Sequence, residues 1–120
     1  EKSRIDILLE YEPGDLCYVE VKSVTLLQDN QGYFPDAKTI RGQKHLRELI
    51  TMQQAGFNSV LFFAVLHTGI NSIKPAAHID PLYAELLGQA KQAGVTIIAY
   101  KAQLTSSSIT LQTPIPVLIE

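Results

Sequence analysis

From Val60 to Leu66 every residue is apolar: Val60, Leu61, Phe62, Phe63, Ala64, Val65, Leu66. A strand with one face in water alternates apolar and polar residues, whereas a strand covered on both faces reads as a short continuous apolar run. This chain must therefore build layers over a central strand. Two helical patterns supply them. The first runs from about Thr39 to Ala55, with Thr39 or Asp36 as N-cap, Gly56 as stop, and Ile40, Leu46, Leu49 and Ile50 as the buried stripe. The second runs from Asp80 to Ala93, capped by Asp80, opened by Pro81 and ended by Gly94, with Leu82, Tyr83, Leu86, Leu87 and Ala90 turned inward. Val95 to Lys101 predicts a further buried strand, Ile109 to Leu111 a short edge strand, and the Pro114-Ile115-Pro116-Val117 tail an extended segment, because proline cannot donate to a central ladder. Gln28 to Lys38 and His67 to His78 read as loops.

The segment before these is a hairpin. Ile5-Asp6-Ile7-Leu8-Leu9 and Cys17-Tyr18-Val19-Glu20-Val21-Lys22 both alternate, and Glu12-Pro13-Gly14-Asp15 between them supplies a turn. Ile5, Ile7 and Leu9 share one face, as do Cys17, Val19 and Val21; Asp6 falls on the other face of its strand, and Glu20 and Lys22 on the other face of theirs. The register that keeps the apolar faces together sets Ile5 opposite Val21, Ile7 opposite Val19 and Leu9 opposite Cys17, which places Asp6 across from Glu20. Two facing carboxylates destabilise a sheet unless a cation compensates them, and a hard divalent metal is the natural one. The ordinary alternative is that Glu20 and Lys22 decorate a solvated face. Against it stands Asp6, whose flanking residues are apolar and whose charge is costly without a partner.

The expected order, β-β-α-β-α-β, defines an α/β fold with a mixed β-sheet flanked by helices. With 46% apolar residues, 120 residues suffice for one domain's core. The chain opens on a strand pattern without a starting Met, which reads as a piece of a longer protein. Its single cysteine, Cys17, excludes an internal disulfide, and a reducing cytoplasm fits. No apolar run approaches the roughly 20 residues of a membrane-spanning helix. A net charge of −2 excludes nucleic-acid binding by bulk charge, so such binding would rest on a local patch, a metal or parts outside this chain.

Asp, then Glu-x-Lys, then a helix with an inward Gln43 resembles the core of the PD-(D/E)xK nuclease superfamily. The blocks Ser3–Asp6, Tyr18–Leu26, Phe34–Ala37, Arg41–Leu49 and Ile79–Ala84 are similar to those of the sugar fermentation stimulation protein A family. That resemblance implies a restriction-endonuclease-like (PD-(D/E)xK) domain over residues 1–120, with an N-terminal OB-like domain and the first core helix outside this chain. It implies Asp6, Glu20 and the Val21 carbonyl as ligands of Mg²⁺ or Mn²⁺, Lys22 as the catalytic lysine and Gln43 beside the site. DNA is the implied partner, with RNA also open. The crossover helix should bring Gln43 towards Glu20 and Lys22, where its amide can hold Lys22 or a phosphate oxygen. Arg4 and Arg41 are candidate phosphate clamps, and His45, about 200° round the helix from Gln43, a structural or phosphate-contacting residue. Tyr33 and Phe34 can stack on a base or pack back on the domain. This sequence departs from the family pattern at Ser23, where Asn is usual, and in its His67-Thr68-Gly69-Ile70-Asn71 loop. Two readings follow: a divalent-metal-dependent nuclease, or a catalytically vestigial DNA-binding module that regulates sugar metabolism. Monomer and dimer are both compatible with either.

Overall fold

A computed structural model describes the backbone of residues 7–10 and the whole of residues 16–119. The chain runs β1 (Ile7–Glu10), β2 (Leu16–Val24), β3 (Leu26–Gln28), β4 (Gln31–Phe34), α1 (Ile40–Gln54), β5 (Asn58–Val65), β6 (Ile73–Pro75), α2 (Pro81–Ala93), β7 (Thr96–Leu104) and β8 (Ile109–Ile115). The main sheet has the order β1-β2-β5-β7-β8, with β2, β5 and β7 parallel and both edge strands antiparallel. β1 and β2 pair with Ile7 opposite Val19 and Leu9 opposite Cys17, the register that the two apolar alternations demand. Ile5, Asp6 and the turn at 12–15 lie outside the described residues, and with them the pairing expected between Asp6 and Glu20.

β5 is the central strand. Its Leu61, Phe63 and Val65 are fully buried and join one cluster with Leu46 and Leu49 of α1 and with Tyr83, Leu86, Leu87 and Ala90 of α2. Both helices therefore cover one face of the sheet. On the other face Phe62 is half-buried and packs edge-on against Tyr100 at 5.9 Å, while Ile98 is exposed. The mixed sheet flanked by helices that the sequence predicts is thus found, with both helices on one face among the described residues. β7 is more open than the buried strand expected.

In the parallel pairing of β2 with β5, Glu20 lies beside Leu61, Lys22 beside Phe63 and Val24 beside Val65. Neighbours in a parallel ladder share a face, so Glu20 and Lys22 lie beneath the helices. They do not line a solvated surface. Cys17 and Val19 occupy the opposite face, where they too are buried.

Two segments expected as loops contribute a second, three-stranded sheet, β3-β4-β6. β3 and β4 form a hairpin closed by Asp29 and Asn30, both at positive φ (51° and 65°), the conformation of a type I′ turn and one these two residue types tolerate. β4 runs parallel to β6. Gly32 is required there, because a Cβ would collide with the Ile70 side chain and come within 2.7 Å of the Ser72 carbonyl oxygen.

The helix ends follow the sequence. Thr39 caps α1, its Oγ1 accepting from the Gly42 N–H at 2.9 Å, while Asp36 is exposed and caps nothing. Asp80 caps α2 ahead of Pro81, and Gly94 ends it at φ 99°. The stripes are narrower than expected at their N-terminal ends. Ile40 is 66% exposed and Leu82 38%. None of the helices among the described residues is long and apolar enough to cross a membrane.

Candidate active site

Glu20 sits mid-strand on β2 and is buried, at 2% exposure. A carboxylate there requires partners. Lys22, two residues along the same face, places Nζ 3.2 Å from Glu20 Oε2, and His45 of α1 places Nδ1 3.0 Å from the same oxygen. Nζ and Nδ1 are themselves 2.8 Å apart. The three atoms form a closed triangle under the first half of α1, with Lys22 its most open member.

Gln43 is buried, but it turns away from that triangle. Its Nε2 donates to both carboxylate oxygens of Asp80, at 3.0 and 3.1 Å. Asp80 also accepts from the backbone N–H of Thr39 (2.9 Å) and of Tyr83 (3.0 Å), so one carboxylate ties the start of α1 to the start of α2. Burial disfavours the charge on Asp80. The Thr39 and Tyr83 N–H groups, the Gln43 amide and the Lys38 charge outweigh it and hold the carboxyl below its ordinary range. Tyr83 is fully buried, its ring against Phe34 at 5.3 Å. Burial, then the charges of Glu20 and Asp80, push its phenol far above the usual value.

The helix phase explains the exchange of roles between Gln43 and His45. Because α1 packs against the sheet on one flank and against α2 on another, two of its flanks are buried. Residues about 200° apart can both point inward, one to each neighbour. His45 faces the sheet with Leu49, one turn on, and Gln43 faces α2. The i, i+4 relation of His45 to Leu49 puts the two on one flank, but the sequence leaves open which neighbour that flank meets.

Arg4 and Asp6 lie outside the described residues. Val21 is half-buried in β2, and Arg41 is exposed on α1. His45, expected as a structural or phosphate-contacting residue, is 4% exposed and engaged with Glu20 and Lys22. Tyr33 packs edge-on against His78 at 4.8 Å, and Phe34 packs on Phe63 and Tyr83, so both aromatics fold back on the domain. His67 accepts from the Gly69 N–H at 2.9 Å. Thr68 and Asn71 of the same loop hold the Lys101 ammonium.

A surface feature that the motifs did not single out joins these. Lys38, Arg41, Lys44 and Arg47, spaced three apart, are all exposed, with Glu48 the one carboxylate in the helix. Arg41, Lys44 and Arg47 run along the outside of α1, with Lys38 just ahead of its cap, and the helix's inner side carries His45.

Among the described residues no group of three or more His, Cys, Asp and Glu gathers as a metal cluster. Glu20 is a hard oxygen donor, and together with backbone carbonyl oxygen it suits Mg²⁺, Mn²⁺ or Ca²⁺ rather than a soft metal. The donor chemistry fits such a cation, and a second carboxylate would complete it.

Parallel central strands, antiparallel edges, a Glu-x-Lys on β2 and a helix packed over it define a restriction-endonuclease-like α/β domain. The family model described as "Sugar fermentation stimulation protein RE domain" matches residues 1–108, and the chain belongs to the sugar fermentation stimulation protein (SfsA) family. A sugar fermentation stimulation protein homolog from Shewanella loihica is 59% identical over 117 residues, 98% of this chain and 50% of that protein. The solved structure of Pyrococcus furiosus SfsA in complex with Ca²⁺ matches with a TM-score of 0.86 at 33% identity, over 99% of this chain and 52% of that one. The chain thus spans about half the length of these relatives.

Proposed function

We propose that this domain binds nucleic acid and hydrolyses its phosphodiester bonds with a divalent cation, Mg²⁺ or Mn²⁺, held by Glu20, the Val21 carbonyl and Asp6. The observation that carries this reading is the buried Glu20 carboxylate with the Lys22 amine 3.2 Å away on the same strand face. Support also comes from Pyrococcus furiosus SfsA, solved in complex with Ca²⁺, since Ca²⁺ shares the preference of Mg²⁺ for oxygen ligands. When bound, the cation supplies Lewis-acid polarisation of the scissile phosphate and lowers the pKa of a coordinated water. Lys22 orients the attacking water by hydrogen bonding or offsets the negative charge that grows on the phosphate. The ridge of Lys38, Arg41, Lys44 and Arg47 gives an acidic chain a local surface for a phosphate backbone, and Arg4 is a further clamp.

A second reading has its own observation. Lys22 and His45 already surround Glu20, so the carboxylate has partners without a metal. On that reading the domain is a nucleic-acid-binding module with a vestigial site and a regulatory role in sugar metabolism. Incubation with Mn²⁺ and single-stranded, duplex and structured DNA or RNA separates the two. The nuclease reading expects slow cleavage that Lys22→Ala removes while binding persists, because a group acting on the reacting phosphate appears in rate before affinity. Salt-dependent binding with no cleavage of any substrate leaves the binding module.

A further inference from the structure

The triangle of Glu20, Lys22 and His45 poses a question of protons. A ring nitrogen either carries a proton or offers a lone pair, so His45 Nδ1 cannot donate to Glu20 and accept from Lys22 at once. Were Nδ1 protonated and aimed at Glu20, the Lys22 ammonium would meet another donor along the shortest edge of the triangle, 2.8 Å. With the lone pair on Nδ1, the ammonium donates to His45 and to Glu20 together. Nδ1 and Oε2, 3.0 Å apart, are then two acceptors bridged by the one cation.

We propose that His45 is a positioning residue that holds the Lys22 amine by accepting its hydrogen bond at Nδ1, and that it keeps this hold once a divalent cation engages Glu20. The inference rests on the metal-dependent reading above and deepens it. A lysine stem has four rotatable bonds, so the place of its nitrogen is set by what anchors it. Glu20 anchors Nζ in the present arrangement but has to share its oxygens with a metal. His45 does not, and its ring is carried by a helix that Asp80 pins through Thr39 and Gln43. With one N–H on His45, the others are directed to the open side of the site, where Lys22 retains 16% of its side-chain exposure. The Gln43 to Asp80 bond therefore supports the site at one remove, and His45 occupies the role expected of Gln43.

The test has two arms on the intact protein. Nitrogen-15 NMR of the His45 ring, with and without Ca²⁺, reads the tautomer directly and needs no activity. The proton is expected on Nε2 in both states, and a proton on Nδ1 overturns the proposal. The second arm compares His45→Leu, which removes the acceptor, with His45→Asn, whose Oδ1 stands near the place of Nδ1. In Mn²⁺-dependent cleavage the leucine variant should lose about 10- to 100-fold in kcat with little change in KM, the scale typical of an orienting partner, and the asparagine variant should recover most of it. Equal loss in two folded variants, or no loss in either, overturns the role. Should the wild-type protein cut nothing, the nuclease reading falls, and the tautomer still decides whether His45 holds Lys22.

Discussion

Replacing Asp80 by alanine removes the carboxylate that joins the two helices, and its cost can be worked out from the bonds that go with it. The cap on α2, the Tyr83 N–H to Oδ1 bond, is worth about 1 kcal/mol. The Gln43 amide, buried and directed at Asp80, is deprived of its acceptor, and an unsatisfied buried polar group costs about 1–3 kcal/mol. The Thr39 N–H is less deeply placed and adds a smaller amount. The expected loss is about 3 kcal/mol, a large fraction of the roughly 5–15 kcal/mol that holds a domain folded. Urea denaturation followed by circular dichroism measures it. Acid provides an internal control. Folding holds the Asp80 carboxyl below its ordinary value, so its contribution is complete above the unfolded value of about 3.9 and is lost as pH falls through the folded value. The gap between wild type and Asp80→Ala should therefore narrow on acidification. A loss below about 1 kcal/mol at neutral pH, a cap's worth alone, would refute the claim that Asp80 clamps α1 to α2.

Three shorter predictions concern the fold and the site. Saturating Ca²⁺ or Mn²⁺ should raise the melting temperature, because the ion binds the folded state, and Glu20→Ala should abolish the rise; an equal rise in the variant places the ion elsewhere. Neutralising Lys38, Arg41, Lys44 and Arg47 together should weaken oligonucleotide binding and flatten its dependence on salt, with a slope reduced by roughly 0.7–0.9 for each phosphate no longer neutralised; an unchanged slope removes the ridge from the interface. Gly32→Ala should destabilise the small sheet by about 1–3 kcal/mol in chemical denaturation, since its Cβ would enter space held by Ile70 and the Ser72 carbonyl; a neutral result means β4 can shift away.

Several elements were legible in the sequence because each carried its own local reason. Thr39, one of two cap candidates with Asp36, Asp80 with Pro81, and Gly94 marked helix ends through capping chemistry, and the alternation of β1 and β2 fixed their register. The β3–β4 hairpin was harder, since strands of three and four residues give too few alternations to register. Its cue was the Asp29-Asn30 pair, the residue types that accept positive φ. The side of the sheet that the helices cover was not readable from β2, where Cys17 and Val19 on one face and Tyr18 and Val24 on the other are all apolar enough to pack. Nor could the sequence say whether Gln43 or His45 meets the strand. Both lie on buried flanks of a helix held between two neighbours, and only the placement of α2 resolves them.

The claim on which the rest depends is that Glu20 is a cation ligand. Anomalous scattering from crystals of the intact protein grown with Mn²⁺ tests it directly. The account predicts a peak within about 2.0–2.6 Å of a Glu20 oxygen, with Lys22 Nζ still bonded to His45 Nδ1. A peak elsewhere, or none at saturating Mn²⁺ with Glu20 still enclosed by Lys22 and His45, would contradict it.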